Sequence, residues 1–209
     1  MIQIVLKNSN SIESLPCEKP DWMEEKRWKD IQKLKAQVDK KRSFVSGYLL
    51  DSMCRDLGIE NPDYGYTEKG KPFLNGVDCA FNISHSGEYA ALAYHTSTDP
   101  IGVDIQKIRP MRDGMEKRLL HVREMEQLPE EYENRMHYLN RLWSVKESFV
   151  KMTGDGLSCD FRTVYADFDN AMVTGEDGID ARFSVWEWEE DYYLAVCSTG
   201  KEECEIKEI

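Results

Sequence analysis

The order of hydrophobic patterns along the chain constrains its fold more than any single motif does. A strand pattern at the start is followed by a charged helical stretch at 21–40, by an apolar helix that ends at Gly58, and by further strands. The strands of this first part lie at 1–6 and near 73–74, 80–84 and 89–94. This part therefore predicts a mixture of helices and strands.

The second part of the chain repeats this order. A strand at 101–105 precedes polar helical stretches near 113–128 and 130–152, and Gly154 ends the second of them. The closing strands lie near 161–167, 181–188 and 192–197. The predicted buried face of the long helix includes Tyr132, Met136, Leu139, Leu142, Trp143 and Val150.

The repeated order predicts an α+β fold with two similar halves, at 1–98 and 99–209. The composition of residues 96–100, Thr-Ser-Thr-Asp-Pro, marks a turn between them. The halves share no repeated sequence, so the predicted duplication depends on the order of elements. With 209 residues, of which 41% are hydrophobic, the chain can bury the core of one domain or of two small ones.

Charge and cysteine content narrow the class of protein. A net charge of −12 argues against general nucleic-acid binding. Six cysteines are scattered without a Cys-x-x-Cys pair, which predicts a reduced, cytoplasmic protein. The apolar start at 1–6 is too short for a signal sequence, and no apolar run reaches the roughly 18 residues of a membrane span. We therefore expect no membrane association.

Two pairs of polar side chains are spaced so that they can share one site. Glu147 and Lys151 are four residues apart on the long helix, which places them on one face. Asp104 and Gln106 are two residues apart on a strand and point to the same side. Mg²⁺ takes few protein oxygens and completes its shell with water and phosphates, so these faces predict a magnesium site. Each pattern alone is also typical of solvent-facing polar residues.

Five short motifs follow one another along the chain. They are Gly-Lys-Pro at 70–72, Phe-Asn-Ile-Ser-His-Ser-Gly at 81–87, Gly-Val-Asp-Ile-Gln at 102–106, Leu-Trp-Ser-Val-Lys-Glu-Ser-Phe at 142–149 and Gly-Asp-Gly-Leu-Ser at 154–158. In this order the chain closely resembles the 4′-phosphopantetheinyl transferases of the longer, surfactin-type class, over roughly residues 20–200.

The resemblance implies a fold of two α+β halves related by a pseudo-twofold axis. It also implies transfer of the 4′-phosphopantetheine arm of coenzyme A to a serine of an apo acyl, peptidyl or polyketide carrier protein. The reaction releases 3′,5′-ADP and depends on Mg²⁺.

The resemblance assigns the metal and catalytic residues. Asp104 and Glu147 match the family's metal-binding acids, and Glu147 is also a candidate general base. Lys151 matches a lysine that contacts the reacting phosphate. The family's metal strand usually ends in Glu, whereas this chain has Gln106, whose carbonyl oxygen can still bind the ion or hold a metal-bound water.

Basic and hydroxyl residues form the predicted coenzyme A site. Between residues 26 and 42 there are eight basic residues and two acids, a pattern that is also typical of a solvated helix face. By resemblance, coenzyme A binding is assigned to Lys26, Lys29, Arg42, Ser43, Lys71, Ser84, His85 and Ser86. Lys26 and Lys29 match the family's lysine pair only after a one-residue gap.

The predicted partner is an apo carrier protein, which is generally acidic. The segment at 111–125 mixes apolar and basic residues that suit such a partner, although an ordinary amphipathic helix explains the same pattern. These residues are Arg112, Lys117, Arg118, Leu119, Leu120 and Arg123. We expect a monomer, because the two halves would form the active-site cleft between them.

Two other classes of function fit parts of the sequence. An inactive relative that binds carrier proteins is consistent with Gln106, although the presence of Asp104, Glu147 and Lys151 argues against it. An unrelated magnesium-dependent nucleotide enzyme is disfavoured, because the sequence has neither a Gly-x-x-x-x-Gly-Lys-Ser/Thr loop nor a dinucleotide fingerprint.

Overall fold

The computed structural model describes residues 1–112, 114–156, 159–200 and 202–209. Two predicted features lie partly outside them: the helical stretch at 113–128 at its first residue, and the motif at 154–158 at Leu157 and Ser158. None of the helices in this part of the chain combines the length and the apolar character that a membrane span requires.

Helices and strands occur in separate groups along the chain, and the predicted α+β class is confirmed. Helices α1 to α4 span Glu25–Lys33, Gln37–Asp56, Glu116–Leu119 and Tyr132–Thr153. Strands β1 to β6 span Ile2–Asn8, Tyr64–Tyr66, Pro72–Leu74, Ala80–Ser86, Tyr89–His95 and Ile101–Lys107. Strands β7 to β11 span Tyr165–Asp167, Met172–Thr174, Asp180–Trp188, Tyr192–Ser198 and Cys204–Glu208. Short 3-10 turns are present at Ser9–Ser11, Met125–Gln127 and Phe161–Thr163.

Two sheets lie between two long helices. Sheet one has the strand order β11-β1-β5-β4 and sheet two the order β6-β10-β9-β8-β7, while β2 and β3 form a separate hairpin. Apolar side chains of β1 and β5 contact those of β6 and β10, so the two sheets share one core. Helix α2 packs on the other side of sheet one, and α4 on the other side of sheet two. Each sheet therefore packs against one long helix on its outer face.

The last strand crosses from the second half to the first. β11 pairs in parallel with β1, beginning with Cys204 opposite Ile2. Cys204 and Ile206 pack against the core that the two sheets share. The division at 98 and 99 stays a prediction, and the closing strand lies in the sheet of the first half.

The charged stretch at 21–40 does not form one helix. α1 and α2 are separate, and Leu34 between them has an extended backbone with φ −66° and ψ 142°. The surrounding lysine, leucine and alanine residues favour helices, so propensity does not explain the break. Ile31 of α1 is buried in a cluster with Phe44 of α2, so tertiary packing decides where the chain turns.

The predicted helix at 113–128 is mostly irregular, since only α3 and one 3-10 turn form in its described part. The main chain of this segment forms hydrogen bonds with buried side chains instead. The amide of His121 donates to Glu124, and the carbonyl of Leu119 accepts from Lys146. These side-chain partners replace the hydrogen bonds of a helix.

Three smaller predictions are also wrong. Residues 161–163 form a 3-10 turn before β7 rather than a strand. Tyr132 is 63% exposed, because it begins α4 and the buried face of that helix starts only at Leu139. Leu119 and Leu120 are buried against α4 and are not free to contact a carrier protein.

Gly102 allows helix α4 to approach strand β6 closely. A Cβ atom at this position would lie 1.9 Å from the carbonyl oxygen of Ser148 and 2.5 Å from the amide nitrogen of Met152. Both are backbone atoms of α4, so a side chain here would separate the helix from the strand. We expect Gly102→Ala to lower the free energy of unfolding by about 2 to 3 kcal/mol, measured by urea denaturation.

Gly200→Ala is the matched control for this substitution. A Cβ atom at Gly200 would meet only the flexible side chain of Glu202, at 3.2 Å, so its cost should stay below about 1 kcal/mol. Equal losses in the two variants would show that the close approach of α4 does not depend on Gly102.

Candidate active site

The candidate site lies where the edge strands of the two sheets meet. The side chain of Asn82 accepts a hydrogen bond from the amide of Val103 at 3.1 Å, and that of Ser86 accepts one from the amide of Lys107 at 3.1 Å. These contacts hold β4 against β6. Ser84, between them on β4, consequently faces β6.

Asp104 is the centre of the site. Its Oδ1 accepts hydrogen bonds from Ser84 Oγ at 2.8 Å and from Lys151 Nζ at 2.6 Å. Lys151 Nζ also donates to Ser84 Oγ at 2.8 Å, so the three groups form a closed triangle. Oδ2 of Asp104 is buried and has no hydrogen-bond partner among the described residues. One oxygen of this carboxylate is therefore available to a ligand.

Glu147 is partly buried and lies one helical turn before Lys151 on α4. Burial raises the pKa of Glu147, the negative charge of Asp104 raises it further, and Lys151 opposes both effects. Asp104 and Glu147 are thus close enough to repel each other. A divalent cation bound by both would relieve that repulsion.

Gln106 completes the predicted metal face. Gly102 of β6 contacts α4, and by alternation Asp104 and Gln106 lie on that same face. Gln106 is buried and its Nε2 donates to the carbonyl of Lys107 at 3.0 Å, which leaves its side-chain oxygen as the group it can offer a cation.

The residues present fit a hard cation such as Mg²⁺. In the described ranges no three His, Cys, Asp or Glu side chains cluster as a metal site. An ion here would therefore take two carboxylates and complete its shell with amide, water or substrate oxygens. The unpartnered Oδ2 of Asp104 and the repulsion between the carboxylates of Asp104 and Glu147 favour this arrangement.

A cleft of about 340 Å³ opens beside this triangle. Its basic lining residues are Arg27, Lys69, Lys71, His85 and Lys151. No carboxylate lines the cleft among the residues that the structure describes. In a protein of net charge −12, such a local positive surface suits a polyanionic ligand.

Arg27 is a cleft residue that the sequence prediction missed. It reaches the cleft because α1 passes close to α2 at Gly47, where a Cβ atom would lie 2.8 Å from Met23 Sδ and 2.9 Å from Arg27 Cδ. Nε of Arg27 is buried without a hydrogen-bond partner in the described part of the chain. The only sequence signal was its place within a basic run.

Lys26 and Lys29 do not line this cleft. Lys26 pairs with Asp30 at 3.6 Å, and Lys29 pairs with Glu25 at 3.3 Å; both lysines are exposed. Residues three apart share a helix face, whereas Arg27 points elsewhere. The binding of coenzyme A by these two lysines stays a prediction, and Lys26 also lies over the ring of Tyr66.

The other residues predicted to bind coenzyme A lie around the cleft. Ser43 and His85 line it, and Arg42 donates to the carbonyl of Gly87 at 3.5 Å. Nε of Arg42 is buried and unpartnered among the described residues. His85 remains exposed, yet partial burial lowers its pKa and the charges of Arg42 and Lys151 lower it further, which favours the neutral ring.

Lys71 joins the hairpin strand β3 to β6 and α4 beside the cleft. Its Nζ donates to the carbonyl of Ile101 at 3.3 Å and to that of Lys151 at 2.7 Å. Burial lowers the pKa of Lys71. The carbonyl of Lys151 belongs to the last turn of α4, where a positive charge is favourable. Lys71 therefore fixes the end of the helix that carries Lys151.

A second ion pair is fully buried next to the site. The side chains of Lys146 and Glu124 have 0% exposure, with 2.6 Å between Nζ and Oε2. Lys146 also donates to the carbonyls of Leu119 and Phe161, so each of its three protons has a partner. Burial lowers the pKa of Lys146 to about 8, and Glu124 opposes that shift. Lys146 thereby joins the segments that contain Glu124 and Phe161 to α4, at the residue immediately before Glu147.

The fold and the site define a class of protein: an α+β protein with two packed sheets, with paired carboxylates beside a basic cleft suited to a phosphorylated substrate. A family model described as the 4′-phosphopantetheinyl transferase superfamily matches residues 100–197. These residues carry Asp104, Glu147 and Lys151.

Three relatives match more of the chain. It is 34% identical over 148 residues to a 4′-phosphopantetheinyl transferase of Bacillus subtilis, which covers 68% of this chain and 65% of the relative. It is 30% identical over 169 residues to the 4′-phosphopantetheinyl transferase ffp of Bacillus subtilis, covering 77% of this chain and 75% of the relative. Identity to the 4′-phosphopantetheinyl transferase Sfp of Bacillus subtilis (strain 168) is 29%, with the same coverage.

The chain belongs to the 4′-phosphopantetheinyl transferase superfamily, and the predicted surfactin-type class is confirmed. It spans 65% of the length of the first of these relatives and 75% of the length of the other two. All three carry the name of the enzyme, which supports the class of enzyme that the motifs predict.

Proposed function

We propose that the protein transfers the 4′-phosphopantetheine arm of coenzyme A to a serine of an apo carrier protein and releases 3′,5′-ADP. The observation that supports this most directly is the basic cleft beside Asp104 and Glu147. Coenzyme A carries a diphosphate and a 3′-phosphate, and charge-assisted hydrogen bonds from lysine and arginine suit these groups. The names of the relatives support the same reaction.

The reaction is an attack of a serine hydroxyl on phosphorus, so the site must position the diphosphate and accept a proton. Lys151 holds the phosphate under attack and stabilises the leaving 3′,5′-ADP. Glu147 accepts the serine proton, directly or through water.

Asp104 and Glu147 would hold Mg²⁺, with the side-chain oxygen of Gln106 as a third protein oxygen. The ion, when bound, neutralises charge on the phosphates. Ser84 keeps Asp104 and Lys151 in register, because its hydroxyl bonds to both.

The remaining basic residues serve the 3′-phosphate. Arg42 and Arg27 each have a buried Nε without a hydrogen-bond partner among the described residues, and a guanidinium group can bind phosphate through two donors. His85 lies near both Arg42 and Lys151, since the charges of both lower its pKa. Ser86 instead bonds to the main chain of β6, so its contribution is to hold the strand.

The proposed reaction is tested by incubating the protein with coenzyme A, Mg²⁺ and an apo carrier protein, and then weighing the carrier by mass spectrometry. A gain equal to one phosphopantetheine group supports the transferase. An inactive carrier-binding relative would bind the carrier without changing its mass. An unrelated nucleotide enzyme would neither bind the carrier nor modify it.

The carrier protein is expected to dock on the segment at 111–125. Val122 and Met125 are large apolar residues that are 69% and 52% exposed, and Arg118 and Arg123 are exposed beside them. Arg123 also lies over the ring of Tyr165, so Arg118 is the cleaner site to change. We expect Arg118→Glu to raise the KM for an acidic carrier about fivefold to tenfold and to leave the KM for coenzyme A within about twofold.

Arg182→Glu is a control for this prediction, because Arg182 is exposed on β9, outside the segment. It should change neither KM. If Arg118→Glu affects the KM for coenzyme A as strongly as that for the carrier, the segment is not the docking surface.

We further propose that the enzyme acts as a monomer in the cytoplasm. Both sides of the cleft come from one chain, through α2 and β4 on one side and α4 on the other. All six cysteines are free thiols, which suits a reducing compartment. Light scattering during size-exclusion chromatography would test the oligomeric state.

A further inference from the structure

Lys151 and the candidate metal share one carboxylate. Lys151 Nζ lies 2.6 Å from Oδ1 of Asp104, and the same ammonium donates a hydrogen bond to Ser84 Oγ at 2.8 Å. The side chain of Lys151 is 27% exposed and that of Asp104 is 7% exposed. The ammonium therefore neutralises a nearly buried carboxylate while it remains within reach of solvent.

A divalent cation on Asp104 would place a second positive charge near this ammonium. Like charges a few ångströms apart repel strongly when they are partly buried, because the effective dielectric constant there is lower than in water. Lys151 also lines the basic cleft, so its flexible side chain has a second direction in which to point. Ser84 Oγ donates to Asp104 independently, so the carboxylate keeps one hydrogen bond when the ammonium turns away.

We propose that Lys151 opposes the binding of a divalent cation at Asp104 until an anionic phosphate in the cleft takes over its ammonium group. The inference rests on the proposed function, because the phosphate is the diphosphate of coenzyme A. It makes metal binding and coenzyme A binding cooperative through one side chain. Each ligand then tightens the binding of the other by the same factor.

A different role for Lys151 predicts a change in metal affinity in the opposite direction when the ammonium is removed. If the ammonium only orients Asp104 for the metal, then its removal loosens metal binding. If it competes with the metal, then its removal tightens metal binding. The affinity for a metal ion without coenzyme A therefore separates the two roles, and it does not depend on catalytic activity.

The test is a calorimetric titration with Mn²⁺ alone, in the absence of coenzyme A. We expect Lys151→Met to lower the Kd for Mn²⁺ by about tenfold or more. Lys69→Met is the matched control, because Lys69 lines the same cleft but its Nζ donates to the carbonyl of Asp155. It should change the Kd much less. A Kd for Lys151→Met that is equal to or higher than that of Lys69→Met overturns the proposal.

Two further measurements keep the result interpretable. Thermal unfolding checks that Lys151→Met is folded, and Lys151→Gln, which also removes the charge, should shift the Kd in the same direction. Asp104→Asn should abolish Mn²⁺ binding at this site. If Asp104→Asn binds Mn²⁺ as the parent does, the ion lies elsewhere and the proposal is wrong.

Coenzyme A then tests the cooperativity. In the parent, saturating coenzyme A should lower the Kd for Mn²⁺ by a larger factor than in Lys151→Met, because only the parent has an ammonium to release. An equal factor in both proteins contradicts the coupling. If the parent does not bind coenzyme A at all, the proposed function fails, and the cooperativity fails with it. The titration with Mn²⁺ alone would still decide whether Lys151 competes with the metal, because it does not involve coenzyme A.

Discussion

Glu147→Gln is expected to reduce the rate of phosphopantetheine transfer by about a hundredfold to a thousandfold. The substitution keeps the shape of the side chain but removes both a proton acceptor and one of the two carboxylates that would bind Mg²⁺. Glu147 forms no ion pair among the described residues, and burial raises its pKa, so the folded state loses little when the charge is removed. We therefore expect kcat to fall while the thermal unfolding temperature stays within a few degrees of the parent's.

Glu133→Gln provides a matched control on the same helix. Glu133 is exposed in the first turn of α4, far along the helix from the site, and its substitution should leave the rate unchanged. The rate is measured by mass spectrometry of the carrier protein at saturating coenzyme A and Mg²⁺. A loss of less than about tenfold in Glu147→Gln would remove Glu147 from the roles of base and metal ligand.

Lys146→Met is expected to produce the largest loss of stability, about 3 to 5 kcal/mol in the free energy of unfolding. The substitution preserves apolar volume but leaves the carboxylate of Glu124 buried without its counter-charge. The carbonyls of Leu119 and Phe161 lose their donor at the same time. Urea denaturation monitored by tryptophan fluorescence measures the change.

A double variant distinguishes the buried charge from a general packing defect. Lys146→Met combined with Glu124→Gln removes both charges, so it should be less unstable than Lys146→Met alone. Lys117→Met, at an exposed position of α3, should cost less than about 0.5 kcal/mol. If the double variant is as unstable as the sum of the two single variants, the two charges do not stabilise each other.

Local patterns in the sequence identified most of the secondary structure around the site. Alternation along β6 placed Asp104 and Gln106 on one face, and helical spacing placed Glu147 and Lys151 on one face of α4. Such predictions succeed because the period of a strand or a helix depends only on the backbone. Helical spacing also places Lys146 at a buried position between Leu142 and Phe149. A lysine at such a position requires a buried partner.

The sequence did not predict which basic residues of α1 face the cleft. The composition of the run is plain, but Lys26 and Lys29 face solvent and Arg27 faces the cleft. Which face of α1 turns inward depends on its crossing with α2 at Gly47. That crossing is a contact between elements, and no local pattern records it.

The sequence by itself determined the α+β class, the strand and the helix that carry the carboxylates, and the family. Only the tertiary structure decided that β11 returns to the sheet of the first half, that the chain breaks at Leu34, and that most of 113–128 is irregular. The physical reason is that periodicity and propensity act over one or two turns of chain. Strand pairing, helix crossing and a buried ion pair instead join residues that are far apart in sequence.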